Sequence, residues 1–379
     1  MPSPKKMMMA AAGSAGGGAA GSIWAWGLGT NGANGQGNTT TYSSPVQVGA
    51  ETDWVQQVMG PNSHWGVRSD GTLWGWGDNT SGQIGNGNTT HYSSPIQIGS
   101  ATDWADEGVS LSKNNLSSAY IKADGKLWCW GANSYGQGGH GNTTVYSSPV
   151  QVGALTDWAS VWSRWAGKNA TKTDGTLWGW GSGGWGGGGW GSSTSYSSPI
   201  QIGALTDWGG AVFPTAEGNN VGAVKADGTL WGWGRNYYGS LMLGNTTAYS
   251  SPVQVGSDTN WADVAADEWS RVAIRTDGTL WAAGKNNVGQ LGLGNTTNYS
   301  SPVQVGALTD WAEVQMAFAY VLARKTDGTI WSWGAGTNGQ KGSGSTASTS
   351  SPVQIGAAAD WLLIPKLGSP HGGGGVRQV

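Results

Sequence analysis

The sequence predicts an all-β protein, a seven-bladed β-propeller with four strands in each blade. Two regularities carry this prediction: a repeat of about fifty residues, and tryptophans locked to three positions within it. The segment Ser-Ser-Pro-Val-Gln-Val-Gly of residues 43–49 returns almost unchanged, so that its proline recurs at Pro45, Pro95, Pro149, Pro199, Pro252, Pro302 and Pro352. A fixed period of this length is typical of propellers and solenoids, and no helical period runs through the repeats.

The tryptophans predict the cores of the blades. A pair precedes each proline segment, at Trp24/Trp26, Trp74/Trp76, Trp128/Trp130, Trp178/Trp180, Trp231/Trp233 and Trp331/Trp333, with Trp281 alone because Ala283 replaces its partner. One more follows each proline segment, at Trp54, Trp104, Trp158, Trp208, Trp261, Trp311 and Trp361. Burying one indole removes ~150–250 Å² from water, a gross gain of about 4–6 kcal/mol before entropy. These rings therefore compensate for a small number of leucines.

Each repeat is expected to hold four strands. The pair Asp70-Gly71 suits the positive φ angles of a two-residue hairpin turn, and alternation in the next strand puts Trp74 and Trp76 on one face. The segment Val46-Gln47-Val48 alternates apolar and polar residues after a proline, as a short outer edge strand does. A strand after each Asp-Trp pair completes the blade.

The chain ends predict how the ring closes. The first copy begins at Ile23-Trp24 without its Asp-Gly turn, and the last stops at residues 376–379, where such a turn would come. We therefore expect a shared seventh blade, with inner strands from the C-terminus and outer strands from residues 23–49. The predicted division is a Gly/Ala/Met-rich tail or anchor over residues 1–22 and one propeller over residues 23–379.

Composition argues against several function classes. Only 11% of residues are charged and the net charge is −3, so no concentrated basic surface for nucleic acid is expected. The single cysteine, Cys129, excludes an intramolecular disulfide and a cysteine metal cage, and the four histidines fall at unrelated repeat positions. No apolar run reaches the ~18 residues of a membrane helix. We expect no metal, no cofactor and no membrane insertion.

Three recurring elements resemble the RCC1 repeat family, named after the chromatin-bound exchange factor for the GTPase Ran. They are Asp-Gly-x-Leu-Trp-x-Trp-Gly, the Asn-x-x-Gly-Gln-Leu-Gly-x-Gly of residues 286–294, and the Ser-Ser-Pro-Val strand. The resemblance covers residues 23–379 and implies a seven-bladed propeller. It leaves function open, because the family includes an exchange factor, a plant ultraviolet photoreceptor and a bacterial β-lactamase inhibitor. Proline spacings of 50, 54, 50, 53, 50 and 50 show no inserted wedge like that of the exchange factor.

Residues 2–13 resemble the openings of marine bacteriophage virion proteins. The first functional hypothesis is therefore a non-enzymatic phage virion protein, located in the particle, whose residues 1–22 contact other virion or scaffold proteins. Its propeller would contact neighbouring subunits, a host glycan or a host surface protein. The alternative is a soluble, inhibitor-like or scaffold-like propeller that binds a protein through one loop-bearing face. Before assembly, either protein would be cytoplasmic.

Charged residues also follow the repeat. A basic residue lies two positions before each turn, at Arg68, Lys122, Lys172, Lys225, Arg275, Lys325 and, by the closure argument, Arg377. These residues either form a cationic ring or are screened by the turn aspartates Asp70, Asp124, Asp174, Asp227, Asp277 and Asp327; we favour screening. The acids before each tryptophan, such as Asp53 and Asp103, are interpreted as turn or cap residues. An acid copied around a ring does not provide two carboxyls of different pKa for catalysis.

Function is therefore expected where the repeats differ. Two proline intervals are longer by four and three residues, which predicts longer loops near 110–117 and 214–220. The candidate contact residues there are Lys113, Asn114, Asn115, Phe213, Glu217 and Asn219. Four tryptophans outside the repeat-locked set, Trp162, Trp165, Trp185 and Trp190, surround one copy. They either form exposed anchors for a partner or fill gaps left by glycine.

Overall fold

The chain folds into seven small sheets with the connectivity of a β-propeller, as predicted. The computed structural model describes residues 20–60, 62–104, 110–111, 116–209, 218–364, 366–367 and 372–378. Within these ranges the only helices are two single-turn 3₁₀ segments, Thr30–Gly32 and Gly184–Gly186. The protein is therefore all-β.

Blades 1 to 6 follow one another along the chain, and blade 7 combines both ends. The strands are β1 (Ser22–Gly27) and β2 (Tyr42–Gln47) in blade 7; β3 (Trp54–Met59), β4 (Ser63–Arg68), β5 (Leu73–Gly77) and β6 (Tyr92–Gln97) in blade 1; β7 (Ser110–Leu111), β8 (Ser117–Ile121), β9 (Leu127–Gly131) and β10 (Tyr146–Gln151) in blade 2; β11 (Trp158–Arg164), β12 (Gly167–Lys172), β13 (Leu177–Gly181) and β14 (Tyr196–Gln201) in blade 3; β15 (Asn220–Val224), β16 (Leu230–Gly234) and β17 (Tyr249–Gln254) in blade 4; β18 (Trp261–Ala266), β19 (Ser270–Arg275), β20 (Leu280–Gly284) and β21 (Tyr299–Gln304) in blade 5; β22 (Trp311–Ala317), β23 (Tyr320–Lys325), β24 (Ile330–Gly334) and β25 (Thr349–Gln354) in blade 6; and β26 (Trp361–Leu363), β27 (Lys366–Leu367) and β28 (Gly372–Arg377) at the C-terminal end.

In the blades whose four strands belong to the described residues, the first strand lies innermost. Such strands contact one another between neighbouring blades, as β18 does with β22 and β11 with β7. All six residues of β3 are buried, whereas those of the outer strand β6 are half-buried or exposed. The proline segment is thus an outer edge strand, the position at which a missing backbone donor is tolerated.

The Asp-Gly turn is one residue longer than predicted. The amide of Arg68 donates to the carbonyl of Thr72, the amide of Gly71 donates to the carbonyl of Arg68, and Gly71 adopts φ 78°. This is a three-residue loop that ends in a left-handed glycine, not a two-residue turn. The Asp70 carboxylate favours it by accepting hydrogen bonds from the amide and the hydroxyl of Thr72, at 2.9 and 2.6 Å.

The tryptophans form the blade cores, as their repeat positions predict, and they also join neighbouring blades. The rings of Trp54, Trp74 and Trp76 pack edge to face at 6.1–6.3 Å, and blades 2, 3, 4 and 6 contain the same trio. The second indole of a pair donates to a loop carbonyl of the preceding blade, in Trp76 to Ala33, Trp130 to Gln83, Trp180 to Gln137, Trp333 to Gln290 and Trp26 to Gln340. We call this bond the tryptophan latch.

Blade 7 is built from both chain ends, which confirms the predicted closure. Strand β1 pairs with β28 in continuous antiparallel register from Ser22↔Arg377 to Gly27↔Gly372, and β26 pairs with the inner side of β28. Strand β27, which lies between β26 and β28 in the sequence, pairs in parallel with Val58 and Met59 of β3. The C-terminal segment therefore spans the boundary between blades 7 and 1.

Alternating strand directions give the propeller two distinct ends. The connections from first to second strand and from third to fourth strand lie at one end, which we call the loop face. The Asp-Gly turns and the connections between blades lie at the other end, the turn face. The segments 105–109, 112–115 and 210–217, which include parts of the predicted longer loops, lie outside the described residues; of the predicted loop ranges, residues 110–111 lie in β7, residue 117 in β8 and residue 220 in β15.

Candidate functional site

The charged ring of the turn face is neutralised within each blade, but not by the acids that we predicted. In six of the seven blades the basic residue pairs with the acid before the core tryptophan, in Arg68–Asp53 (3.6 Å), Lys122–Asp103 (2.8 Å), Lys172–Asp157 (3.3 Å), Lys225–Asp207 (2.7 Å), Lys325–Asp310 (3.2 Å) and Arg377–Asp360 (2.9 Å). In blade 5, Asn260 replaces that acid and Arg275 pairs with Asp258.

Each of these cations also lies between two tryptophans. The ammonium of Lys225 is 4.3 Å from the ring centroids of both Trp208 and Trp231, and the guanidinium of Arg68 is 4.8 and 4.2 Å from Trp54 and Trp74. Charges so placed are stabilised by the ring faces. The ring of cations is therefore a structural element of the blades.

The turn aspartates serve a separate network. Thr72 donates to Asp70 and accepts the indole hydrogen of Trp74 at 2.8 Å, and these hydrogen bonds from Thr72 hold the pKa of Asp70 below its ordinary value. The same Asp-Thr-Trp relay occurs at Asp174, Asp227, Asp277 and Asp327. The prediction that acids screen the cations is thus correct, but the screening acid is the one before the core tryptophan and not the turn aspartate.

The loop face distinguishes between the four candidate tryptophans. Trp162 is 3% exposed and packs in the core with Ile202 and Trp208. Trp190 is half-buried; its indole donates to the carbonyl of Thr194 at 3.0 Å, and its ring fills the space beside Gly188. Both rings therefore fill space within the blade, as the gap-filling alternative proposes.

Trp185 is the one exposed ring of the four, and Trp165 is half-buried like Trp190. The ring of Trp165 lies 5.5 Å from that of Tyr135. Trp185 is 52% exposed and adopts φ 56°, a left-handed conformation that bulky residues rarely take. Its ring is thus held away from the core by its own backbone.

Of the predicted loop contacts, Asn219 alone belongs to the described residues. It is 6% exposed, its carbonyl accepts the amide hydrogen of Arg235 at 2.8 Å, and its side-chain oxygen has no hydrogen-bond partner. Lys113, Asn114, Asn115, Phe213 and Glu217 lie outside the described residues.

Trp185 belongs to a row of rings that crosses three blades. Its ring is 5.4 Å from Tyr237 of blade 4, and Tyr237 stacks on Trp269 of blade 5 at 6.1 Å with 19° between the ring planes. Tyr238 packs edge-on against Trp269 at 5.6 Å. We call Trp185, Tyr237, Tyr238 and Trp269 the aromatic surface.

Arg235 holds this surface together. Its guanidinium lies 4.9, 4.3 and 4.2 Å from the centroids of Trp185, Tyr237 and Trp269, and it forms an ion pair with Glu268. Contacts of this kind fix both the cation and the rings. Apart from Trp185, sequence reasoning missed these residues; the signals for them were the Tyr237-Tyr238 pair and the unrepeated Trp269.

The loop that carries Trp185 lacks the usual internal support. In blade 5 the side chain of Asn286 accepts from the amide of Leu291 and donates to the carbonyl of Asn295, which closes the loop. Blade 3 has Gly183 and Gly188 at the positions of Asn286 and Leu291. This loop is therefore closed by backbone contacts and by side-chain hydrogen bonds from Asn169 to the carbonyl of Gly188 at 3.3 Å and from Trp190 to the carbonyl of Thr194 at 3.0 Å.

Other chemical groups give no second site. Among the described residues, no group of three or more histidine, cysteine and acidic side chains is placed to hold a metal ion. Cys129 is fully buried, and burial raises the pKa of its thiol to about 12. Across the same described ranges, none of the helices is long and apolar enough to span a membrane.

Comparison with known proteins agrees with this architecture. The model of the Regulator of chromosome condensation (RCC1) repeat matches residues 70–106, 124–162, 227–273, 277–319 and 327–361, more than half of the chain. No curated protein sequence matches significantly.

Solved structures show the same fold at low sequence identity. Prp20p from Saccharomyces cerevisiae, studied for its binding to Gsp1p and histones, superposes with a TM-score of 0.80 at 18% identity over 94% of this chain and 92% of that one. Human WBSCR16 gives a TM-score of 0.82 at 18% identity over 95% and 99%. Yeast Prp20 bound to Kap60 gives 0.80 at 18% identity over 100% and 93%.

Proposed function

This chain belongs to the RCC1 repeat family, and on that premise we propose that it is a non-enzymatic binding propeller whose aromatic surface holds a partner protein. The observation that carries the proposal is Trp185, which combines 52% exposure with a left-handed backbone. A left-handed backbone at a bulky residue costs of order 1–2 kcal/mol of stability. Because the indole is largely exposed, burial of the ring recovers little of that cost. Phe318, which is 53% exposed with φ 30°, carries a similar cost; at Trp185 the exposed ring adjoins Tyr237 and Arg235, and we attribute its cost to binding.

The residue types of the surface support a protein partner. Tryptophan, tyrosine and arginine dominate the energetic hot spots of protein interfaces, and all three meet around Arg235. The adjoining loop segments, such as Asn236-Tyr237-Tyr238-Gly239-Ser240, have the Tyr, Ser, Gly and Asn content of antibody binding loops. Large rings supply contact area while losing little side-chain entropy.

The surface is also organised before a partner arrives. Arg235 is bonded to Glu268 and lies against three rings, so these side chains keep one arrangement in the free protein. Binding to ordered rings avoids the entropy cost of immobilising them. The fold itself is used in this way elsewhere, since Prp20 binds Gsp1p and histones and has been crystallised with Kap60.

The virion hypothesis stays a separate prediction. It depends on residues 1–22, of which 1–19 lie outside the described residues, and the geometry of the aromatic surface does not require it. Mass spectrometry of purified particles tests it directly, because a virion protein must be found in them. A glycan partner also stays a prediction, for which the exposed face of Trp185 is the candidate stacking platform.

The proposed function is tested by partner capture with matched variants. Tagged wild-type protein, Trp185→Ala and Leu155→Ala are expressed in the native cells, cross-linked and analysed by quantitative mass spectrometry. Leu155 is 46% exposed on the turn face, so its replacement controls for the loss of any exposed apolar side chain. We expect a partner that Leu155→Ala retains and Trp185→Ala loses. Identical partner sets for all three proteins would contradict the proposal.

A further inference from the structure

Lys285 adjoins the aromatic surface on the loop face of this propeller. Building on the proposed function, we propose that the partner contributes an extended, acidic stretch of chain, with an apolar side chain on Trp185 and Tyr237 and a carboxylate on the ammonium of Lys285. The ligand of the aromatic surface is thereby assigned a negative charge and a fixed spacing between its apolar and its acidic residue.

The first argument is the pairing state of the cations. Among the described side chains, every other lysine or arginine is either buried or in an ion pair with an acid. Lys285 is half-buried and has no carboxylate within 4 Å in that part of the chain. Because Arg235 and Glu268 neutralise each other, the described residues of the surface leave one uncompensated positive charge, in a chain whose net charge is −3.

The second argument is the place where Lys285 holds that charge. Its ammonium lies 5.4 Å from the ring of Tyr238 and 5.7 Å from that of Trp269. Aromatic walls exclude water on one side of the cation, which lowers the local dielectric and strengthens its attraction for an incoming carboxylate. A basic segment would be repelled at the same point, so the charge selects the partner as well as attracting it.

The third argument is distance along the surface. Steps of 5.4, 6.1 and 5.7 Å lead from Trp185 to Tyr237, to Trp269 and to the ammonium of Lys285. An extended chain advances ~3.3 Å per residue, so about five residues cover this path. The acid is therefore expected about four or five residues from the apolar anchor.

A random peptide-display library tests the inference without knowledge of the partner. Peptides are selected on wild-type protein, counter-selected on Trp185→Ala, sequenced, and measured by fluorescence polarisation against both proteins, Lys285→Gln and Lys126→Gln. Lys126 pairs with Asp124 on the turn face and serves as the charge control. Circular dichroism of each variant confirms that it is folded.

The selected peptides should carry Asp or Glu four or five residues from an aromatic or aliphatic residue. We expect Trp185→Ala to weaken their binding at least about tenfold, Lys285→Gln to weaken it roughly three- to tenfold, and Lys126→Gln to leave it unchanged. Raising the salt concentration should weaken wild-type binding more than that of Lys285→Gln, since screening acts on the charge that the variant lacks.

Two results overturn the inference while leaving the proposed function intact. One is a peptide set with no enrichment of acids, or no selected peptides at all, alongside a captured partner that needs Trp185. The other is binding that Trp185→Ala abolishes and Lys285→Gln leaves unchanged. If neither variant affects binding and no captured partner depends on Trp185, both the inference and the proposed function are wrong.

Discussion

The indole nitrogen of Trp333 donates a hydrogen bond to the carbonyl of Gln290 across the boundary between blades 5 and 6, at 3.1 Å. Trp233 occupies the same position at the boundary between blades 3 and 4, but its indole nitrogen is buried without a hydrogen-bond partner. The carbonyl that would accept there belongs to Gly187, in the loop that carries Trp185. The loop that bears the exposed ring thus meets blade 4 without this latch, as the corresponding loop of blade 4 meets blade 5, where Ala283 replaces the donor.

This difference predicts unequal costs for the same substitution. Trp333→Phe removes a bond and leaves the carbonyl of Gln290 without its donor, whereas Trp233→Phe removes an unpaired buried N–H. Because both changes delete similar apolar area, Trp333→Phe should destabilise the protein by about 1 kcal/mol more than Trp233→Phe. Urea-unfolding midpoints of the two variants measure the difference. Equal losses would show that the latch contributes nothing to stability.

The cations of the turn face should act mainly through the rings around them. Lys225 is 2% exposed at its side chain and lies 4.3 Å from two indole centroids. Lys225→Met keeps the aliphatic stem and removes the charge, so we expect a loss of about 1–2 kcal/mol in unfolding free energy. Lys225→Arg is the matched control, since arginine occupies this position in blades 1, 5 and 7, and should cost less than about 0.5 kcal/mol. Similar losses for Met and Arg would contradict this role.

Lys168 predicts a pH dependence of stability. Its ammonium is fully buried and donates to the carbonyl and the hydroxyl of Ser117, and burial lowers its pKa from 10.5 to about 7. Between pH 7 and 10.5 the Lys168 ammonium holds its proton in the unfolded chain but loses it in the folded one. The free energy of unfolding therefore rises with pH across that window, and Lys168 adds no pH dependence below it.

Lys168→Val should flatten that slope by an amount of order a few kcal/mol over the window. Valine is the residue at this position in blades 4 and 6, Val221 and Val321. Unfolding curves of wild type, Lys168→Val and the exposed control Lys126→Gln between pH 6 and 10 provide the measurement. The hypothesis fails if wild type and Lys168→Val keep the same slope.

Repetition explains why most of the fold was predictable. A pattern present seven times averages out local exceptions, and the residues around Val376 and Arg377 matched the strand before each turn closely enough to place β28 beside β1. The error concerned the acid beside each cation. In the observed register Trp54 is opposite Arg68, which brings Asp53 to the cation. The prediction assumed a two-residue turn, and that assumption concealed the pairing.

The aromatic surface was less predictable because it depends on three blades at once. Trp185, Tyr237 and Trp269 are separated by 52 and 32 residues in the chain, and only the closed ring brings their loops together. Departure from the repeat identified Trp185 and Trp190 alike. The two residues differ in backbone conformation and in the space beside Gly188. Residue types alone reveal neither feature.

The closure has a testable consequence for circular permutants. Gln378 donates to the carbonyl of Asp360 as Ser69 does to Asp53, and Gly21 accepts from the amide of Trp54 as Gly71 does from Trp104. Gln378 and Gly21 therefore occupy the two sides of an Asp-Gly turn. One inserted aspartate between Gln378 and Gly21 should complete it.

Two such permutants differ only in where the new ends lie. New ends between Asp124 and Gly125 move the break to the turn of blade 2, where strand pairing still closes the ring, so we expect thermal stability close to that of wild type. New ends between Gly153 and Ala154 leave every blade whole and close the ring by side-chain packing alone. That permutant should unfold faster and at lower temperature. Equal behaviour would show that strand pairing across the ends is unimportant.

The backbone of Trp185 allows its strain to be separated from its binding role. Asn31 holds the equivalent position in blade 7 with φ 57°, against 56° for Trp185, and asparagine tolerates this conformation far better than alanine does. Trp185→Asn and Trp185→Ala lose the same ring, so any difference between them reports the backbone. We expect Trp185→Asn to be more stable by about 0.5–1 kcal/mol, while both variants lose the partner to the same extent. A pair of equally stable variants would mean that the loop relaxes without strain, and partner binding retained by Trp185→Asn would mean that the ring is not the anchor.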